Sequence, residues 1–342
     1  MDTRADAVAA AVEIGELDPT ALSDADAGAL AEVANAAEAV DAPFRAPVDA
    51  AYVRRGHLYG HDMQPTHGLL VARDGERIVA YAELHISVWD NADVLFVEIE
   101  EHPEYRDRGI DDRLLEQALE RGRAEGRTNV LGSGWVGSHR LAFWERQGFP
   151  VATRDANRRL VLADLDRPQL AQMLADAEAA STDYELVDVP NPAPEELLPS
   201  LVAAHSAIND APLDDLDIED DAWPAERVRA YEQAMTARRM RMHRLLARRT
   251  SDGAAAGHTV VVVEEDRPRI GAQEDTAVIR EHRGHRLGLR LKIAMLVLLA
   301  EREPQLDYID TWNAESNTHM IAVNDAIGCV VVARGCEVQK RI

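Results

Sequence analysis

The run Arg283-Gly284-His285-Arg286-Leu287-Gly288 places two guanidinium groups and two glycines where a strand signal ends and a helical repeat begins. A strand that enters a helix through such a turn presents backbone N–H groups at the positive end of the helix dipole, which suits an anion. Gly284 and Gly288 allow close approach to the backbone, and Arg283 and Arg286 add charge, so phosphate is the natural ligand. On its own this is a weak signal, because many Arg- and Gly-containing turns are only loops.

The turn occurs twice. The segment Leu95–Leu119 and the segment Ala272–Leu296 share one order of features: a strand, a turn rich in Arg and Gly, then an amphipathic helix. Placing Arg106 on Arg283 puts Leu114 on Leu291, and after a small gap Gly148 meets Gly328. The chain therefore reads as two copies of one domain. Before each turn lie three strand signals, GLLVAR, RIVAYAELHIS and VLFVEIE in the first half and HRLLAR, HTVVVVEE and DTAVIR in the second. Asp74-Gly75 and Ser251-Asp252-Gly253 mark hairpins, so each half opens with an antiparallel meander. After each turn, Ile110, Leu114, Leu115 and Ala118, and Leu287, Leu291, Ala294, Met295 and Leu298, recur at helical spacing and predict core faces. NVLGSG and YIDTWN predict the next strand of each half, then a short helix and two terminal strands, FPVATR with RRLVLA and CVVVAR with EVQKRI. The first forty residues, rich in Ala and Asp, read as surface helix because Leu17, Leu22, Leu30 and Val33 punctuate them. The predicted domains are residues 1–165 and 184–342, joined by a helix within 166–183.

Composition bounds the function. The chain has 342 residues, about two domains' worth, with 46% hydrophobic residues and a formal charge of -24. Such acidity argues against an extended nucleic-acid surface. The one basic run, Arg238, Arg239, Arg241, Arg244, Arg248 and Arg249, has no interleaved aromatic residue and reads as a solvated face. No run approaches the roughly 18 apolar residues of a membrane span, and Met1–Ala10 lacks a secretory pattern, so a cytoplasmic protein without membrane contact is expected. Cys329 and Cys336 fit neither a disulfide framework nor a metal site; reduced structural thiols and no metal are expected.

With these motifs in place, the second half resembles a Gcn5-related N-acetyltransferase (GNAT) domain, and the tandem arrangement is similar to actinobacterial acyltransferases of that family. Arg283–Gly288 resembles the family's acetyl-coenzyme A pyrophosphate loop, and Thr311–Gly328 its next strand and helix. The resemblance implies an α/β fold of two tandem GNAT domains, each a mixed, mostly antiparallel twisted sheet flanked by helices. It implies acetyl-CoA as co-substrate, held by Arg283, Gly284, His285, Arg286, Leu287, Gly288 and Leu289, by the splayed strand Thr276, Ala277 and Val278, and by Asn313 and Asn317. It implies a general base at the start of that strand, Glu274 first and Asp275 second. Two departures stand out. Arg286 occupies a position usually held by Gly. In the first half, Arg106-Asp107-Arg108-Gly109-Ile110-Asp111 ends in a carboxylate that repels pyrophosphate, so that copy is expected to be degenerate. The Tyr acid of many relatives is replaced by Asn324, and by Trp144 in the first half; Asn324 is expected to hydrogen-bond instead.

The implied activity is acetyl transfer to the amine of a small molecule. The acidic run Asp214, Asp215, Asp217, Glu219, Asp220 and Asp221 would favour a cationic acceptor, or is one more acidic loop on an acidic protein. The competing reading, from the missing Tyr and from Asp111, is a non-catalytic acyl-CoA-binding or interaction module. Edge strands leave open whether the halves pack on each other or form a homodimer.

Overall fold

The computed structural model describes residues 12–342, and the reading of Met1–Ala10 lies outside them. The chain forms two compact units. The first comprises residues up to Arg154 together with Asp214–Glu219 and Ala333–Ile342; the second comprises Asp155–Leu213 and Asp220–Val332.

In the first unit, β1 (Glu13–Leu17), β2 (Gly68–Asp74), β3 (Arg77–His85) and β4 (Val94–Glu101) form an antiparallel meander. β5 (Asn129–Trp135) joins it parallel to β4, and residues Gly335–Arg341 of the last strand of the chain then pair antiparallel with β5. Four consecutive apolar residues in GLLVAR, Leu69 to Ala72, are buried because the sheet is covered on both faces. One face packs on α1 (Asp24–Asp41) through Leu30, Val33, Leu69 and Val71. The other packs on α3 (Ile110–Ala124) and α4 (His139–Arg146) through Leu95, Val97, Ile110, Leu114 and Trp144. A short helix α2 (Ala50–Tyr59) follows α1.

The second unit repeats this plan. β7 (Tyr184–Val189), β8 (Met240–Arg249), β9 (Ala255–Glu264) and β10 (Ile270–Val278) run antiparallel, β11 (Tyr308–Ala314) joins parallel to β10, and Asp155–Val161 of β6 (Val151–Val161) pairs with β11. Its helices are α5 (Arg167–Ala179), α6 (Leu198–Ser206), α7 (Ala225–Ala237), α8 (Leu287–Arg302) and α9 (Thr318–Ala326). The predicted stripe of α8 is core: Leu287, Leu291, Met295 and Leu299 pack with Val261, Val263 and Ile309.

The structure alters the reading of the strand ends. FPVATR and RRLVLA are not two strands but the continuous β6, and CVVVAR with EVQKRI is the continuous β12 (Val330–Arg341). Each changes unit part way along, because the residues between their halves, Asp155-Ala156-Asn157 and Gly335-Cys336, hold no turn and stay extended. The helix expected at 166–183 is α5, within the second unit. Among the described residues no helix is long and apolar enough to cross a membrane.

Candidate functional site

Side chains cap most helix starts: Ser23 accepts from the amide of Asp26, Asp49 from Tyr52, Ser138 from Leu141, Asp166 from Gln169 and Asn317 from Met320. α6 and α7 lack such a cap, and so do the two helices that follow the Arg- and Gly-containing turns. Their N-cap residues, Gly109 for α3 and Arg286 for α8, are left-handed and make no side-chain cap. Both turns need two left-handed residues at the same places, Asp107 and Gly109 in one and Gly284 and Arg286 in the other. Glycine serves the second place in the first unit and the first place in the second unit, so each turn carries one strained non-glycine residue.

The environments of the two turns diverge. In the second unit Gly284, His285 and Arg286 are exposed, Leu287 and Gly288 are buried, and Leu289 is half-buried. A Cβ at Gly288 would make only an ordinary contact, 3.7 Å from Val278 Cγ2. No side chain of the N-cap residue claims the first-turn N–H groups, leaving donors for an anion. Arg283 turns back, donating through Nε to Val278 O at 3.0 Å and through Nη2 to Asp210 at 2.7 Å. In the first unit, Asp111 stands where Gly288 does; its carboxylate accepts from the Asp112 amide at 2.9 Å and from Arg146 at 3.1 Å, while Arg106 is held by Asp41 at 2.8 Å.

β10 is the second part of the site. It pairs with β11 only from Ile270 to Ala272, against Tyr308 to Asp310, and the strands then part. On its other side the register with β9 slips between Gln273 and Thr276, an extra residue that makes a β-bulge at Glu274–Asp275. Gln273 fills the bulge, donating to Val260 O at 2.5 Å and to Thr259 Oγ1 at 3.1 Å, while Thr276 Oγ1 lies 2.8 Å from Thr259 Oγ1. Ala277 is buried and Val278 half-buried. The first unit also splays after Phe96–Leu131, but β4 pairs with β3 without a bulge.

The bulge aims Asp275 at a group of rings. Asp275 Oδ2 lies 3.1 Å from His205 Nδ1 and 4.0 Å from His258 Nε2. His205 stacks on Trp223 with centroids 4.2 Å apart and meets His258 edge-on at 4.5 Å. Burial, reinforced by His205, holds the His258 imidazole well below its usual range, so it is neutral. Neither His258 nitrogen makes a hydrogen bond. Burial, with Glu274 and Asp275 nearby, pushes the Tyr231 hydroxyl well above its usual range. The ligand atoms of His205, His258 and Asp275 lie within 4.8 Å of one another, close enough to hold a metal, although the 3.1 Å contact is already a hydrogen bond.

Below the splay lies a small cavity of about 20 Å³ bordered by Gln273, Lys292, Thr311 and Cys329. Burial lowers Lys292 to about 8 and raises the Cys329 thiol to about 11, so that thiol is inert. Lys292 Nζ reaches Gln273 Oε1 at 3.3 Å.

Asn324 is fully buried and donates to Asn313 Oδ1 on β11 at 2.5 Å; Trp144, its counterpart, donates to Ser133 O on β5 at 3.2 Å. Both last helices thus tie to the same place on the parallel strand. Asn317 is occupied as the N-cap of α9. The acidic run is built largely into the first unit, where Asp214 accepts from Thr153 at 3.0 Å, Asp217 pairs with Arg341 and Glu219 bonds Asn91. The basic run keeps partial solvent exposure and is also ion-paired, Arg241 with Glu303, Arg248 with Glu185 and Arg249 with Asp252; only Arg244 departs from the solvated reading, being fully buried against Glu232. Sequence reasoning missed His205, His258, Trp223, Tyr231 and Gln273. The only available signal was a histidine in an otherwise apolar strand, GHTVVVV, which has no partner in sequence.

Paired splayed sheets, each with a helix entered through an Arg- and Gly-containing turn, define a tandem GNAT-fold protein. Residues 34–149 match the acetyltransferase (GNAT) family, so the sequence match falls on the first unit. No curated protein matches the chain. Among solved structures the chain is similar to a tandem GNAT protein from the clavulanic acid biosynthesis pathway, at 26% identity and a TM-score of 0.78, covering 96% of this chain and 98% of that one. It also shares the fold of a GCN5-related N-acetyltransferase from Sphaerobacter thermophilus, at 17% identity and a TM-score of 0.67, covering 96% of this chain and 95% of that one.

Proposed function

We propose that the second unit transfers an acetyl group from acetyl-CoA to the amine of a small, cationic molecule. The observation that carries this reading is that the bulge at Glu274–Asp275 and the parting of β10 from β11 occur together, beside a helix start left uncapped. The N–H groups around Leu287, Gly288 and Leu289 would hold the pyrophosphate, and the room at Gly288 fits it. The unpaired edge at Thr276, Ala277 and Val278 would take the pantetheine arm, opposite Asn313. Acetyl-CoA supplies an activated thioester. The amine nitrogen forms the new bond to carbon, the C–S electron pair leaves on sulfur, and Asp275 takes the amine proton with His205 Nδ1 at 3.1 Å as its partner. Glu274 and Asp275 together favour an ammonium-bearing acceptor. Asn324, tied to Asn313, is a positioning residue. The first unit, its helix start occupied by Asp111, does not bind the co-substrate.

Thiol release with a panel of amines tests the reading. Wild type is expected to turn over at least one amine, Gly288→Asp to lose acetyl-CoA binding, and Asp275→Asn to keep binding but slow turnover by about 100-fold or more. The absence of a Tyr acid at Asn324 favours a second reading, an acyl-CoA-binding module. Tight binding without thiol release for any amine would establish that one instead.

A further inference from the structure

We propose that the degenerate turn of the first unit is a divalent metal site, formed by Glu101, Asp111 and His139 and suited first to zinc. Three elements bring the ligands together. Glu101 ends β4, Asp111 lies in the first turn of α3, and His139 opens α4. Their ligand atoms lie within 4.8 Å of one another.

The spacing is what selects a metal. His139 Nε2 stands 3.5 Å from Glu101 Oε2 and 3.6 Å from Asp111 Oδ2. Those separations are long for N–H···O hydrogen bonds, which cluster near about 2.9 Å. They match the edge of about 3.4 Å of a tetrahedron whose centre lies about 2.0–2.2 Å from each ligand. Glu101 is 4% exposed, and neither of its carboxylate oxygens has a hydrogen-bond partner; His139 Nε2 has none either. A buried carboxylate is normally satisfied by close donors or by a cation, and here the nearest one is the His139 imidazole, 3.5 Å away and beyond good hydrogen-bonding distance. Asp111 has its outer contacts in place: Arg146 at 3.1 Å and the Asp112 amide at 2.9 Å orient it as second-sphere partners orient a ligand. Asp111 and Glu101 raise the His139 imidazole to about 9, so a dication binds by displacing its proton; two carboxylates then balance the charge, and three protein ligands leave one open position.

Comparison of the two turns gives the second argument. With Arg106 on Arg283, Glu101 falls on Val278 and Asp111 on Gly288. In the second unit that pair is a valine and a glycine, and even an added Cβ at the glycine would make only ordinary contact, which leaves room for an anion. In the first unit both positions have become carboxylates. The sign of the preferred ligand is inverted, from phosphate to cation.

The experiment is metal analysis of the full-length, tag-free protein by elemental mass spectrometry, followed by zinc titration of chelator-treated samples. The expected result is one zinc per chain that survives Gly288→Asp and His258→Ala and is lost in Glu101→Gln and His139→Ala. Arg146→Gln should weaken binding about tenfold. Cobalt substitution of wild type should give a tetrahedral d–d spectrum, which reads the site even where a ligand variant fails to fold. Absence of bound metal with no effect of added zinc or cobalt would overturn the proposal and leave an imidazolium bridging two carboxylates. Zinc retained in Glu101→Gln and His139→Ala but lost in His258→Ala would equally overturn it, placing the ion at the histidines of the second unit.

Discussion

At the scale of residues, the chemistry concentrates on side chains that share no sequence neighbourhood. Asp275 gains its partner from α6, seventy residues earlier, because His205 presents Nδ1 at 3.1 Å. His205→Phe should keep the stacked surface against Trp223 and lose the polar contact. Turnover is then expected to fall by about 100-fold with acetyl-CoA affinity unchanged, as steady-state kinetics and calorimetry would show. Lys292 offers a stability test. Its pKa of about 8 in the fold, against 10.5 ordinarily, means the unfolded chain binds its proton more tightly. The penalty is therefore complete below the folded value and relieved as pH rises from about 8 toward 10.5. Lys292→Met is expected to raise unfolding stability near neutral pH by about 2 kcal/mol and to flatten that rise. Urea titrations at neutral and alkaline pH would measure both.

At the scale of elements, the bulged β10 depends on its neighbour. A Cβ at Gly257 of β9 would lie 2.4 Å from Ala277 O, closer than any real contact, so the strands can approach there only around glycine. Gly257→Ala must push β10 outward at the residues proposed to meet the pantetheine arm. We expect a lower melting temperature together with weaker acetyl-CoA binding, whereas the same change at Gly253, where nothing lies within 4 Å, strains only the hairpin and leaves binding intact. The alternating glycines of the two turns show how one backbone shape survives different sequences: Asp107 and Arg286 take left-handed conformations that glycine would adopt more easily.

At the scale of the molecule, neither half of the sequence is a complete unit. Cys336 and Val338 are buried in the core of the first unit, and Gly335–Arg341 covers the edge of β5. A fragment of residues 1–165 therefore lacks a core strand and exposes an open edge. It is expected to aggregate or melt early, and fusion of residues 214–219 and 333–342 to residue 154 should restore cooperative unfolding by circular dichroism. The acidic run belongs to the same exchange, since Asp214–Glu219 completes the first unit.

The sequence alone determined the repeat, the strand–turn–helix order of each copy and the position of the Arg- and Gly-containing turn. These follow from periodicity and local backbone chemistry, which act over a few residues: Leu287, Leu291 and Met295 had to share a face, and Gly284 had to mark a turn. It also exposed the substitution at Asp111, because a carboxylate against an expected phosphate is a local contradiction of charge. Tertiary structure alone decided the rest. Where the far halves of β6 and β12 pair, with β11 and with β5, is a matter of distant strand partners that no local pattern states. The bulge at Glu274–Asp275 is a register count against β9, invisible in β10 itself. His205 and His258 reach Asp275, and Glu101 and His139 reach Asp111, only because sheets and helices bring distant stretches within a few ångströms, and hydrogen bonding, burial and coordination act at that range.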